Sequence, residues 1–416
     1  MTTVVFLSGK TMGDALGSAG RSLQRNFDRL GHDFLEINFS NPEAMQLLDR
    51  ALKTTKVEFV LSFVGLGADL SGTTGDGKEV NLWKGMGIPF ISLYGDSPAY
   101  FFDRHVLPHG PLAALYAFPE HLELRRRLPN MTGLTGLAVH GPLDSVAKTS
   151  IDFGRKESGK LVFLKNGNSP NGLLTAWRES LAESMFIMLT DMANELIQGM
   201  TSNNLLDIDT LVCTRFRERG LEVEALTNLR LFFIAQLDDY LRRLKSTLIA
   251  EALLDFPVEI HGFNWDHVDF TGRRATLVPS ADYTASGQLI RESLGIIDMS
   301  PNTSKAPHDR PMRALGMHTL CLTNEQQYFK ENFEHFEAFS FRFEKDSVQS
   351  RVAEVLAHPK RSVEIGAHSA EEFRKKHGQD GIARFMLDTA ASLKLDCAPR
   401  FESLPSYFVW PATKVY

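Results

Sequence analysis

Ile296-Ile-Asp-Met-Ser-Pro-Asn302 runs into Thr303-Ser-Lys-Ala-Pro-His308 and then Asp309-Arg-Pro-Met-Arg-Ala-Leu-Gly316. A short β-rich apolar run ends in a polar loop, and the loop opens a helix whose first turns carry His308, Asp309, Arg310 and Arg313. A helix N-terminus has unpaired N–H groups and about half a positive charge, which suits a phosphate. Arg310 and Arg313 lie three apart on one helical face and can add charge-assisted bonds to a diphosphate. A capped helix with solvated charges is the other reading of the same residues.

Outward from this stretch the pattern repeats. In the second half, strands are expected at 161–164, 257–260, 276–278, 296–299, 319–322 and 339–343, with helices at 285–293, 308–317, 346–357 and 361–377. In the first half, Val4–Leu7, Phe34–Ile37, Phe59–Phe63 and Pro89–Leu93 alternate with helical stretches. Strands separated by helices favour right-handed βαβ units around a parallel sheet. Such sheets hold ligands beyond the carboxyl ends of their strands. Residues 172–254 break the alternation with a long helical periodicity, as in Leu237, Leu241 and Leu244. The expected domains are 1–155, 156–395 with a helical insert at 172–254, and a segment 396–416 returning to the first domain, because Phe401, Tyr407, Phe408 and Trp410 are too apolar for a free tail.

The composition is compatible with this reading and excludes others. The 416 residues hold 45 Lys+Arg against 51 Asp+Glu, a net charge of −6, with 43% hydrophobic and 23% charged residues. Two domains of ordinary globular composition are expected. The acidic excess argues against a nucleic-acid partner. No apolar run reaches membrane-spanning length. The N-terminus, Met1-Thr-Thr-Val-Val-Phe-Leu-Ser8, reads as a first strand without a basic leader, so a cytoplasmic location is expected. Three separated cysteines make neither a disulfide framework nor a zinc set. Gly9-Lys10-Thr11 lacks the earlier glycine of a P-loop, since Val4 stands there. Asp207-Ile208-Asp209 has the spacing of a cation-binding acidic pair, but its place at a helix start favours a capping role. His261 and His267 are not at a standard ligand spacing.

From Leu253 to about Ala391 the order of elements resembles the C-terminal half of GT-B glycosyltransferases, especially the spore-maturation CgeB-like group. The likeness rests on Val258-Glu-Ile-His-Gly-Phe-Asn-Trp265, Tyr283 before a helix, Ile296–Asn302, His308-Asp-Arg310, Arg313-Ala-Leu-Gly-Met-His-Thr-Leu-Cys-Leu-Thr-Asn-Glu325 and Val355-Leu-Ala-His-Pro359. It implies an α/β GT-B fold: two Rossmann-like parallel-sheet domains, a cleft between them and the helical insert in the second. It also implies that the opening of the 308–316 helix contacts a nucleotide-sugar donor. In that family glutamate usually stands where Arg313 is, and glycine where His318 is.

The donor candidates on this reading are Lys165, Asn166, Gly167 and Asn168 after the first strand of the second half. Gly262, Phe263, Asn264 and Trp265 are candidates for the nucleobase, with Tyr283, Asn302, His308, Asp309, Arg310 and Arg313 completing the set. Asp96, in Tyr-Gly-Asp-Ser-Pro, is the first candidate for a catalytic base and His105 the second. Asp96 reads equally as an Asx turn before Pro98. Gly13, Asp14 and Gly67 mark loops where an acceptor can approach the backbone. The expected activity is metal-independent sugar transfer from a nucleotide-sugar to an acceptor of unspecified type, without a cofactor or bound metal. The alternatives are a non-catalytic nucleotide-sugar-binding protein and a nucleotide-sugar epimerase of related fold.

Overall fold

The computed structural model describes residues 2–10, 15–131, 133–138, 145–201, 207–378, 380–395 and 408–409. The chain divides into two units, Met1–Gly141 with His377–Tyr416, and Pro142–Lys376.

The first unit is built on six parallel strands: β1 (Thr2–Ser8), β2 (His32–Asn38), β3 (Val57–Phe63), β4 (Phe90–Tyr94), β5 (Leu112–Tyr116) and β6 (Leu134–Leu137). Their order in the sheet is β2-β1-β3-β4-β5-β6. The central strands are continuous apolar runs because both faces are covered: Val4, Val5, Phe6, Val60, Leu61, Phe90 and Ile91 are all fully buried. On one face, α1 (Ala15–Arg29) sets Leu23 and Phe27 against Phe6 and Phe59. The other face packs on α2 (Ala44–Thr54) through Leu48 and Leu52. Short antiparallel strands Ser71–Thr73 and Glu79–Asn81 form a hairpin, and Phe408–Val409 pairs with Ser71 and Gly72.

The second unit repeats the plan with β7 (Leu161–Leu164), β8 (Glu259–His261), β9 (Thr276–Val278), β10 (Gly295–Ile297), β11 (Leu320–Asn324) and β12 (Ser340–Phe341). All pairs are parallel, in the order β9-β8-β7-β10-β11-β12. Among the described residues, four α-helices lie between β7 and β8: α3 (Pro170–Ser180), α4 (Glu183–Thr201), α5 (Ile208–Glu218) and α6 (Thr227–Leu253). The described residues of 172–254 are mainly helical, as their periodicity indicates. The last of these helices reaches the sheet core through Ile249, Ala250 and Leu253. Further on come α7 (Tyr283–Glu292), α8 (Asp309–Gly316), α9 (Lys345–Ala357) and α10 (Pro359–His377).

The unit boundary differs from the sequence reading. It falls at Gly141/Pro142, and α11 (Gly381–Leu395) belongs to the first unit. Its Ile382, Ala383, Met386, Ala390 and Leu393 join Val4, Phe6, Phe59 and Leu61 in one apolar cluster. Helical periodicity identifies a buried face but not the sheet that covers it.

Candidate functional site

In the second sheet, β7 has β8 on one side and β10 on the other, so the strand order reverses between β7 and β10. The loops leaving these two strands open a crevice at such a reversal. They are Lys165–Asn168 and 298–308, two of the stretches singled out in the sequence.

The first loop is fastened to the segment after β8. Gly167 N donates to Phe263 O at 2.8 Å, and Phe263 N donates to Asn166 Oδ1 at 3.0 Å. Asn264 Nδ2 donates to Asn168 Oδ1 at 3.1 Å, and Trp265 Nε1 donates to Lys165 O at 2.9 Å. A Cβ on Gly167 would sit 2.2 Å from the Trp265 ring, and one on Gly262 would sit 2.0 Å from Lys165 O. Only glycine permits this approach. Asn166 and Asn168 therefore spend their side-chain oxygens on the ledge itself. Trp265 is buried against Phe163 and does not present its ring to a nucleobase, whereas Phe263 is 54% exposed. That corrects the expectation for Trp265: its role is to seat the ledge.

The second loop brings Arg310 back across the strand ends. Arg310 Nε donates to Asp298 Oδ1 at 2.7 Å, and Arg310 Nη1 donates to Leu164 O at 2.7 Å. The second Nη has no partner among the described residues. Asp298 is 1% exposed, and its Oδ2 has no hydrogen-bond partner. Ser300 Oγ and Thr303 Oγ1 in the same loop are likewise buried and unpartnered. Three orphaned polar atoms in one loop are unusual, because buried polar groups are nearly always hydrogen-bonded. A polar ligand or water can satisfy them.

The Lys165 ammonium makes no hydrogen bond or ion pair with the described residues. Burial and the positive charges of Arg310 and Arg242 push its pKa down to about 7, against the opposing pull of Asp298 and Asp309. Arg242 comes from α6, inside the helical insert that sequence reasoning kept away from the site. No local pattern distinguishes it from its neighbour Arg243, which pairs with Asp239. Burial raises the Asp309 carboxyl, but His308, Arg310 and Arg313 outweigh it and hold that group well below the usual carboxylate range. Lys165, Arg242 and Arg310 thus gather near Asp298 and Asp309, and Arg242 is itself paired with Asp238 at 3.6 Å.

Other candidates are placed elsewhere. Arg313 is 3% exposed, stacks on the Tyr283 ring at 3.8 Å and donates to Tyr283 O at 2.6 Å and Ser286 Oγ at 3.0 Å. It clamps α7 to α8, and the expected pairing of Arg313 with Arg310 on one phosphate is not what its hydrogen bonds serve. Asn302 adopts a left-handed φ of 51° and is held by α6, its Nδ2 donating to Asp238 Oδ1 at 2.7 Å and its Oδ1 accepting from Lys245 Nζ at 2.6 Å. It shapes the loop. His308 precedes the first residue of α8, with Nδ1 2.6 Å from Asp309 Oδ1.

In the first unit, His105 is 2% exposed, tilted against Tyr94 with ring centroids 4.3 Å apart and bonded through Nδ1 to Tyr116 Oη at 2.9 Å. Burial, with the nearby His121 and Arg125, pushes its pKa down to about 3. A ring enclosed in this way cannot reach a substrate proton, which removes His105 as a base. Asp96 follows β4, is exposed and has no hydrogen bond or ion pair with the described residues. Ala99 N is served by Ser97 Oγ instead, so the turn before Pro98 does not use the Asp96 carboxylate. Gly67 has a φ of 77° and its carbonyl accepts from Trp83 Nε1 at 2.7 Å. Gly13 and Asp14 lie outside the described residues. Asp207 caps α5 by accepting from Asp209 N at 3.0 Å, while Asp209 is buried against Arg230 with two contacts of 2.7 Å. The acidic pair is structural.

Residues 242–388 match the family model described as glycosyl transferase-like. No curated protein matches this sequence. Among solved structures, a DNA-modifying β-glucosyltransferase superposes with a TM-score of 0.51 at 8% identity, covering 94% of this chain and 100% of that one. Sucrose-phosphate synthase from Thermosynechococcus elongatus gives 0.51 at 9% identity, covering 95% and 100%. The fold is GT-B. The match at 242–388 spans α6 to α11 and so includes Arg242, Asp298 and Arg310. Among the described residues no helix is long and apolar enough to cross a membrane.

Proposed function

We propose that this protein transfers a sugar from a nucleotide-sugar to an acceptor hydroxyl or amide, with the donor diphosphate held by Lys165 and Arg310 and by the field of Arg242. The observation that carries this reading is the meeting of Lys165 and Arg310 at the strand-order reversal of the second sheet, with Arg310 inside the glycosyl transferase-like region. As the bond between sugar and phosphate breaks, negative charge grows on the leaving diphosphate. Cations already fixed in place stabilise that charge without reorganising, so the reaction needs no metal on this reading. Arg310 is preorganised by Asp298 and Leu164 O, and its remaining Nη is the donor for a phosphate oxygen. Phe263, exposed on the ledge, is the surface for the nucleobase. Asp96 is the candidate base for the acceptor. The finer placement in the CgeB-like group rests on the residues quoted above.

Calorimetric titration with UDP, GDP, CMP and their sugars tests the reading. One β-glucosyltransferase structure of the same fold has uridine diphosphoglucose as its substrate, so uridine nucleotides are the first to try. Saturable binding of one nucleoside diphosphate, with much weaker binding of its nucleoside, is expected. Turnover only with an acceptor present identifies a transferase. Conversion of donor alone identifies an epimerase, and binding without turnover a non-catalytic binder.

A further inference from the structure

Glu334 and His335 lie just before a short helix, Phe336–Phe339, close to His368 and Glu372 of α10. Donor atoms of Glu334, His335 and His368 all lie within 4.8 Å of one another. His368 Nε2 is 3.4 Å from Glu334 Oε2 and 3.7 Å from Glu372 Oε1, and the two imidazole rings are 5.1 Å apart. Two ligand atoms at tetrahedral positions around zinc, each about 2.0–2.1 Å from it, are about 3.3 Å apart. The 3.4 Å between His368 Nε2 and Glu334 Oε2 is thus close to the separation of two ligands in one coordination shell.

Two further contacts hold the two sides of the cluster together. Phe333, next to Glu334, stacks on Phe373, next to Glu372, at 6.5 Å, and both rings are buried. Glu334 N donates to Glu372 Oε1 at 3.1 Å, which holds that carboxylate against the Glu334 backbone. His368 and Glu372 are four apart on one helix, so both project from the same face. With neutral imidazoles the four side chains carry two negative charges, which a divalent cation cancels.

We propose that Glu334, His335 and His368, with Glu372 as a fourth or supporting ligand, form a surface site for a borderline divalent transition-metal ion such as zinc. Imidazole and carboxylate ligands favour Zn2+, Ni2+ or Cu2+ over Mg2+ or Ca2+, which prefer all-oxygen shells. The ion clips the segment between β11 and β12 to α10. This site is independent of the donor reading, and neither depends on the other.

The experiment is calorimetry of the untagged, chelator-treated protein with ZnCl2, repeated with MgCl2. One equivalent of zinc should bind saturably, magnesium should not compete, and thermal unfolding should shift upward with zinc. His368→Ala and His335→Ala should each weaken zinc binding at least tenfold while leaving the unfolding temperature without zinc unchanged. Glu334→Gln, which keeps shape and removes one charge, should weaken it several-fold. No saturable binding, or a Kd unchanged in the double variant H335A/H368A, would overturn the proposal.

Discussion

The two sheets have the same number of parallel strands but treat their strand-order reversals differently. In the first, order β2-β1-β3 places the reversal beside the loops Gly9-Lys10 and Val64-Gly65-Leu66-Gly67. Val64, Gly65 and Gly67 have φ values of 52°, 69° and 77°, yet their turn closes on itself. Gly65 N donates to Ser92 Oγ at 2.7 Å, Leu66 N to Phe63 O at 3.1 Å and Ala68 N to Gly65 O at 3.0 Å. In the second sheet the loops instead bring to one place an ammonium, a guanidinium Nη and three buried polar atoms that have no hydrogen-bond partner among the described residues. Equal architecture does not give equal binding chemistry. Among the described residues, the Val64–Gly67 turn of the first unit spends its polar groups on closing itself, and the second unit's loops leave some unspent.

The contrast can be broken most directly at Arg310. Arg310→Ala leaves the buried Asp298 carboxylate without its cation, so a stability loss of about 3–5 kcal/mol is expected by chemical denaturation. The same variant should lose roughly ten- to a hundredfold in nucleoside diphosphate affinity, with nucleoside binding nearly intact. Arg310→Lys keeps the charge and loses the fork, so it should retain more of the stability than of the binding. Equal diphosphate affinities in wild type and both variants would remove the site from this loop.

On the first unit's side, Gly65→Ala tests whether the closed turn is purely structural. The added Cβ would come within 2.7 Å of Arg104 O at a left-handed φ. A loss of about 1–3 kcal/mol in stability is expected, with nucleotide affinity unchanged. A fall in nucleotide affinity at unaltered stability would give the first reversal a binding role.

Lys165 offers a sharper measurement of the same contrast. A bound diphosphate favours the protonated amine, whose pKa in the ligand-free protein is down at about 7. Affinity should therefore be greatest below pH 7 and weaken as pH rises through it, by at most about tenfold per unit for one proton. Calorimetry in buffers of different ionisation heat should show proton uptake on binding above pH 7, and Lys165→Met should abolish both the uptake and the slope. The stability effect has the opposite sense. The ligand-free fold disfavours the charged amine, so its penalty is full below pH 7 and fades as pH rises toward the unfolded pKa. The smallest expected effect is that of Asp207→Ala, about 0.5–2 kcal/mol of stability through loss of the α5 cap, with no change in nucleotide binding.

How much of this was legible in the sequence depends on the range of the interaction. The strand 161–164, its Lys-Asn-Gly-Asn loop and the loop into 308–316 are local patterns, and they could be read directly. The direction of a long side chain could not. Arg310 and Arg313 share a helical face in the sequence, but one reaches Leu164 O and the other Tyr283, because α7 supplies an aromatic ring and carbonyl beside Arg313. His105 looked available because burial by Tyr94 and Tyr116 comes from two different strands. Arg242 enters from a helix whose periodicity announces only its apolar face.

The placement of α11 bears on the order in which the protein is made. The second unit is one continuous stretch, 142–376, and all of its core residues are available once that stretch has been synthesised. The first unit is interrupted. Val4, Phe6, Phe59 and Leu61 emerge early but share their cluster with Ile382, Met386 and Leu393, which are translated after the whole of the second unit. During synthesis that face of the first sheet lacks part of its apolar cover, a window in which a nascent chain is most open to chaperones and to misassociation.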